Sequence, residues 1–336
     1  MAAVSAFLYK AMAFIMSIVL TAIPYAGFDK PFLQTREDDC QLNLSMISDI
    51  HLETPGIFRK GFLKQGLLNI NNALSPVDAI LVDGDITNYG DEETLASYYD
   101  IITDYTDKPV ITVAGNHDIG HVGDRDVTDI SRDEALANVI KYYNAYSGRD
   151  LDTNYYSLEI NGYKFIVLGD EVNNETHTGG YWDSITMTQE QLDFLDRELA
   201  EGTADGKPVF VCCHWAIKGT NGEQVIWEGS GIDPETEYDI QGIMEKYKNV
   251  FYISGHMHGG IKSTAVDALF DINSAEKTNG VTYLSLPTYG ILNQYGIPWS
   301  GTGAQLEVYS DKVIFRPVNY LTGKWYTSAA YTFTLD

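Results

Sequence analysis

Residues 110–118 read VITVAGNHD: a run rich in Val and Ile, then Ala114-Gly115, then the polar cluster Asn116-His117-Asp118. Such a run, ending on small residues before polar ones, predicts a buried strand that stops at a turn. The pattern recurs along the chain. LNLSMIS (42–48) leads into Asp49-Ile50-His51, AILVDG (79–84) into Asp85, PVFVCC (208–213) into His214, and VFYISG (250–255) into His256-Met257-His258-Gly259, with KFIVLG (164–169) completing the series. Helix candidates lie between these runs. In Thr188 to Leu199 (TQEQLDFLDREL), Leu192, Leu195 and Leu199 fall at helical spacing, and Thr188 with Gln191 three residues on predicts a capping box. Ile240 to Tyr247 is a shorter candidate, and Asp91-Glu92-Glu93 reads as a solvated helix start.

Strands alternating with helices predict an α/β fold. The C-terminal part differs. VTYLSL (281–286), AQLEVYS (304–310), KVIFRPV (312–318) and YTFTL (331–335) read as antiparallel β, with turns at Ser310-Asp311 and Thr322-Gly323. No repeat or low-complexity tract interrupts the chain, so residues 27–336 are expected to form one domain.

With 336 residues, 44% of them hydrophobic, the chain can bury a sizeable core. Its net charge of −25 argues against nucleic acid and anionic membranes as partners. A small phosphate ester is not excluded, because bound cations can invert the local field. Ala11 to Ile23 (AMAFIMSIVLTAI) is an uncharged apolar run preceded by Lys10. It is short for a membrane span, so residues 1–26 are expected to be a signal peptide or an N-terminal anchor of an exported protein. Three cysteines do not make a disulfide scaffold. Cys212 and Cys213 read as buried filler, and a bridge from Cys40 to one of them is left open.

In α/β folds, ligand sites form beyond the carboxyl ends of strands, where these clusters would converge. Carboxylate, imidazole and amide oxygen together suit Zn, Fe or Mn rather than a thiolate site. In Asp-x-His and His-x-His, residues two apart face the same way on an extended backbone. A glycine before the ligand lets the chain turn at the strand end. Five of the seven histidines sit in the clusters; His121 and His177 read as surface or loop residues. Each cluster alone is commonplace: Asp-x-His is usually a turn, and Asn-His-Asp can cap a helix. In this order, each after an apolar run, they point to a metal centre.

The ordered blocks D-x-H, G-D, G-N-H-[DE], H and G-H-x-H, from Asp49 to His258, resemble the calcineurin-like metallophosphoesterases. The resemblance implies a four-layer α/β/β/α sandwich of two mixed β-sheets flanked by helices. It also implies two divalent ions (Mn, Fe or Zn), one held by Asp49, His51 and His258, the other by Asn116, His214 and His256, with Asp85 bridging. Ions roughly 3.5–4 Å apart would clamp a phosphodiester or phosphomonoester and activate a bridging hydroxide. His117 would protonate the leaving oxygen.

Family protein phosphatases carry G-D-x-x-D-R-G at the second block, whereas this chain reads Gly84-Asp85-Ile86-Thr87-Asn88-Tyr89-Gly90. Asn88 replaces the Asp that pairs with the catalytic histidine, so Asn88 is expected to orient His117, with Asp118 as a compensating carboxylate. Tyr89 replaces the phosphate-clamping Arg, which argues against a protein phosphatase and is consistent with a diester. Ile119–Arg149, Trp215–Tyr238 (with Trp215, Lys218 and Trp227) and Leu286–Trp299 are expected either to wall the substrate or to pack as ordinary loops. Two rival readings are a metal-dependent hydrolase of another bond and a non-enzymatic binding module on a phosphoesterase scaffold.

Overall fold

The computed structural model describes residues 39–120, 130–171, 185, 187–221, 231–232, 239–258, 274–290 and 301–336. The leader, His121, His177, Trp227 and residues 291–299 lie outside them, so the expectations for these concern residues not described.

In chain order the elements are β1 (Leu42–Ile47), α1 (Ile57–Asn71), β2 (Ala79–Asp83), α2 (Glu92–Tyr105), β3 (Val110–Val113), α3 (Arg132–Ser147), β4 (Tyr156–Ile160), β5 (Tyr163–Val167), α4 (Gln189–Gly202), β6 (Val209–Cys212), α5 (Ile240–Met244), β7 (Val250–Ser254), β8 (Ala275–Thr278), β9 (Val281–Ser285), β10 (Thr302–Val308), β11 (Lys312–Asn319), β12 (Lys324–Trp325) and β13 (Tyr331–Thr334). One sheet has the order β12-β11-β10-β1-β2-β3, with β13 also on β11; the other runs β4-β5-β6-β7-β9-β8. Pairing is parallel within β1-β2-β3 and within β5-β6-β7-β9, and antiparallel toward the edges. The result is the expected α/β architecture of two mixed sheets flanked by helices.

Alternation along the strands separates two apolar layers. Phe210 and Cys212 of β6 join Leu42, Leu44 and Leu306 in the core between the sheets, where Phe165, Phe210 and Phe251 pack with centroids 5.0 and 5.5 Å apart. Val209, Val211 and Cys213 face the other way, onto Leu195 and Leu199 of α4 and Met244 of α5. Cys212 and Cys213 are therefore buried filler in opposite layers, and all three cysteines are free thiols. Burial pushes the Cys213 thiol up to about 12.

Three expectations need correction. VTYLSL has an antiparallel partner in β8, but it does not join the other C-terminal strands: β9 also pairs in parallel with β7 in the second sheet, while β10 and β11 belong to the first. The expected loop Ile119–Arg149 contains α3, capped by Ser131, whose hydroxyl accepts from Glu134 N. The capping box is half formed: the Thr188 hydroxyl accepts from Gln191 N, but the Gln191 side chain bonds Gly169 and Glu171 instead of returning to Thr188. At α2 the expected acidic start is present, with Asp91 as the cap. Among the described residues, no helix is long and apolar enough to cross a membrane.

Candidate metal centre

The parallel strands of both sheets end on one rim, and the polar clusters follow at once. Pairing of the first two strands persists past their ends: Asp49 N bonds Gly84 O (3.1 Å), His51 N bonds Asp85 O (2.8 Å) and Leu52 N bonds Ile86 O (2.7 Å). In the second sheet, pairing of β6 and β7 likewise persists through Gly255 N to His214 O (3.1 Å), and the 286–290 segment ties that sheet to the first, where Tyr289 N bonds Ser48 O (2.7 Å) and Gly290 N bonds Asp49 O (2.9 Å).

The sharp turns are made mainly by the site residues themselves. Asp49, His51, Asp85, His256 and His258 are left-handed, with φ of 55°, 52°, 46°, 66° and 50°. The other left-handed non-glycine residues among those described are Asn161, Asn249 and Asn279. Such φ values are uncommon outside glycine, and a cluster of them marks a functional site. Two of the preceding glycines serve a different need from the expected turn. Neither Gly115 nor Gly255 is left-handed, but a Cβ on Gly115 would lie 2.2 Å from Asp85 Oδ1 and one on Gly255 1.9 Å from Ser48 Oγ.

All seven expected ligand residues come together. Donor atoms of Asp49, His51, Asp85 and His258 lie within 4.8 Å of one another, as do those of Asp85, His214 and His256, with Asp85 common to both groups. Asn116 joins the second group through Oδ1, 3.0 Å from His256 Nδ1. His51 Nε2 faces His258 Nε2 at 2.9 Å and Asp85 Oδ2 at 3.6 Å. His258 Nε2 stands 3.0 Å from Asp49 Oδ1, and His214 Nε2 3.3 Å from Asp85 Oδ2. Both Asp49 oxygens and His214 Nε2 are buried without a well-formed hydrogen bond. Imidazole nitrogens and carboxylate oxygens about 3 Å apart match neighbouring ligands around an ion with bonds of about 2.0–2.2 Å. Two histidines are also held with the remote nitrogen bonded: His214 Nδ1 to Asp83 O (2.7 Å) and His51 Nδ1 to Asn88 Oδ1 (3.1 Å). A bonded Nδ1 leaves Nε2 to ligate. The donor set and its geometry fit a pair of divalent ions.

The protein's own charges are tightly coupled here. Burial works against ionisation of Asp85, yet His214, His117 and His51 hold its carboxyl well below the usual range. Burial likewise opposes a charge on His214, but Asp85, Asp49 and Asp83 carry it up to about 10. His51 is pushed well down, by burial first. Asp83 lies beneath the site, fully buried, and burial pushes its carboxyl up to about 8. Its position inside an apolar strand gave no sequence signal of a role.

His117 sits at the edge of the first group, its ring edge-on to His51 at 4.7 Å. Its Nδ1 is bonded to the main-chain carbonyl of Asn88 (3.0 Å). Asn88 thus orients His117 through its backbone, whereas its side chain serves His51 and donates to Glu53 Oε2 (3.2 Å). Asp118 does not turn toward the His117 ring. Its carboxylate, fully buried, accepts from Ile86 N (3.1 Å), Thr87 N (2.8 Å), Gly115 N (2.9 Å) and the Thr87 hydroxyl (3.0 Å). It braces the second and third loops against each other, and burial, then Asp85, push its carboxyl up to about 6. Of the two readings for Trp215, substrate wall or ordinary packing, the second holds: its side chain is wholly buried under the second sheet. Lys218 is partly buried, and its N–H bonds Ile232 O at 2.9 Å. Sequence reading passed over Glu53 and Arg59; Arg59 Nη1 donates to the His51 carbonyl.

The calcineurin-like phosphoesterase family profile matches residues 44–260, and the chain belongs to that family. Among solved structures it is similar to a purple acid phosphatase from yellow lupin (Lupinus luteus) seeds, at 15% identity and a TM-score of 0.57, over 88% of this chain and 54% of that one. The chain therefore spans about half the length of that phosphatase, and the likeness is one of fold. More distant are a phosphoesterase-like protein from Streptococcus pneumoniae (11% identity, TM-score 0.38, 87% and 97% covered) and vacuolar protein sorting 29 from Cryptosporidium parvum (12%, 0.36, 88% and 98%). A search of curated proteins gives no match.

Proposed function

We propose that this protein hydrolyses small phosphate esters, diesters or monoesters, using two divalent ions of the Mn, Fe or Zn type. The observation that carries the reading is the shared carboxylate: Asp85 belongs to both donor groups, and His117 stands beside one of them. When bound, the ions supply Lewis-acid activation of water near neutral pH and neutralise phosphate charge. The chain's own residues do the rest. Asp85 Oδ1 accepts from His117 N (2.9 Å), fixing the third loop to the shared ligand. A carbonyl can only accept, so its bond to Asn88 O places a proton on His117 Nδ1 and leaves Nε2 toward the site. Protonated there, His117 can donate to a leaving oxygen.

The missing clamp arginine at Tyr89 and the acidic surface favour small, weakly charged diesters over proteins or nucleic acids. The apolar leader supports an exported location, with the membrane reached only through an uncleaved anchor. The test is hydrolysis of bis-p-nitrophenyl phosphate beside p-nitrophenyl phosphate by the Mn²⁺-loaded chain, with Asp85→Asn as control. Turnover lost in the control is expected, with the diester preferred. No turnover of either by protein shown to hold two ions would overturn the reading in favour of a binding module.

A further inference from the structure

We infer that Glu53 and Asn88 form a relay that fixes the tautomer of His51, which makes Glu53 a positioning residue for an imidazole of the metal centre. The inference rests on the metal-site reading above and adds a residue outside the family blocks.

A carboxylate has no proton to give, so the Asn88 atom facing Glu53 Oε2 at 3.2 Å must be the amide nitrogen. The amide oxygen is then the atom facing His51 Nδ1 at 3.1 Å. That oxygen can only accept, so Nδ1 carries the proton and Nε2 is bare. Nε2 is the atom within 2.9 Å of His258 Nε2 and 3.6 Å of Asp85 Oδ2, the one placed to ligate. The choice of amide orientation follows from Glu53 and not from which way the amide is drawn.

The rest of His51 is fixed by other bonds. Its N–H goes to Asp85 O at 2.8 Å, and its carbonyl accepts from Arg59. The Asn88 backbone is equally independent: its N–H bonds Leu52 O at 2.9 Å, and its carbonyl takes His117 Nδ1. One residue therefore sets two imidazoles through two different oxygens, and only the side-chain oxygen is under the control of Glu53. Outer partners of metal-bound histidines commonly are carboxylates or carbonyls acting directly. Here an amide is inserted between carboxylate and imidazole, and it transmits donor-acceptor polarity without bringing a further charge onto the ring.

Glu53→Lys reverses that polarity. An ammonium can only donate, so the Asn88 amide turns its oxygen outward and its NH₂ toward His51, which must then accept at Nδ1 and carry its proton on Nε2. Glu53→Gln removes the same charge but keeps an acceptor. The measurement is the long-range ¹H–¹⁵N spectrum of the chelator-treated full chain labelled in histidine, with His51 assigned by its loss in His51→Gln. Wild type and Glu53→Gln are expected to show Nδ1 protonated, and Glu53→Lys to show Nε2 protonated. In parallel, Mn²⁺ titration of Glu53→Lys is expected to lose roughly 10–100-fold in affinity at one of two sites, with Glu53→Gln near wild type. The same His51 tautomer in Glu53→Lys and wild type, or equal metal loss in the Lys and Gln variants, would overturn the relay. The tautomer is read without metal. A protein that shows the expected inversion yet binds no Mn²⁺ in any form would keep the relay and sink the metal reading.

Discussion

The two halves of the centre differ in how far they are sealed. His214 is fully buried, fitted against Gly84, where a Cβ would come within 2.3 Å of its Nδ1, and it shares its charge with Asp85, Asp49 and Asp83. The His51 and His258 side chains keep 10% and 20% of their surface, with His117, Asn88 and Glu53 beside them. Electrostatic balance and packing are concentrated in the closed half. Access, and the proton transfer proposed for His117, belong to the open half. Replacing a ligand in the first should disturb the folded state, and replacing a residue in the second should disturb turnover.

The largest expected effect is at the residue common to both halves. Asp85→Asn should reduce bound metal from two ions to one or none, and lower turnover by more than the roughly 10–100-fold that loss of an outer partner produces. Metal analysis and diester kinetics check this, and full occupancy would erase the distinction between a shared ligand and the others. Next, His117→Ala should keep both ions and lose roughly 10²–10⁴-fold in turnover of esters with poor leaving groups, and less with p-nitrophenolate. Metal loss from that variant would move His117 into the ligand set.

A direct contrast of the halves comes from chelator-treated protein. His214→Ala strands buried carboxylates and should lower unfolding free energy by about 3–5 kcal/mol, the scale for breaking a buried pair. His258→Ala, at the open edge, should lower it less; equal denaturant midpoints would break the comparison. The subtlest effect is in pH. His214 is held at about 10 in the folded chain against an ordinary value of 6.5. The folded state therefore binds the proton more tightly, its stabilising share is complete below 6.5, and it is lost as pH rises through about 10. The chelator-treated chain should accordingly lose Tm more steeply from pH 7 to 10 than His214→Gln does.

The strand-end blocks were legible because their chemistry is carried by residue type and spacing. AILVDG and VITVAG predict β2 and β3 to within two residues at their ends, and every expected ligand reaches the rim. Roles that depend on which atom points where were not legible. Asn88 was expected to act on His117 through its side chain, yet a main-chain carbonyl performs that task, and Asp118 sits beside His117 in sequence while its carboxylate faces backbone amides. Helices were missed where the apolar stripe is faint. In α3 the buried face is Ala135, Val139 and Tyr143, a small residue and a tyrosine among charges. In α1 a glycine interrupts the pattern for a tertiary reason, since a Cβ on Gly66 would strike the Tyr289 hydroxyl at 1.9 Å. The direction of β9 depends on its neighbours, which local sequence does not encode.

The left-handed turns at Asp49, His51, Asp85, His256 and His258 also constrain what substitutions these positions can accept. Asp, Asn and His are the non-glycine residues that tolerate such φ most readily, and two of the three are the residue types found at these turns. Valine, isoleucine and threonine are excluded by shape before their chemistry matters, whereas glycine keeps the path of the chain and forfeits only the donor atom. Drift at these positions is therefore channelled by the backbone. A descendant that abandoned the ions would be expected to carry Gly or Asn at the five turns, preserving the outline of the centre long after its chemistry had gone.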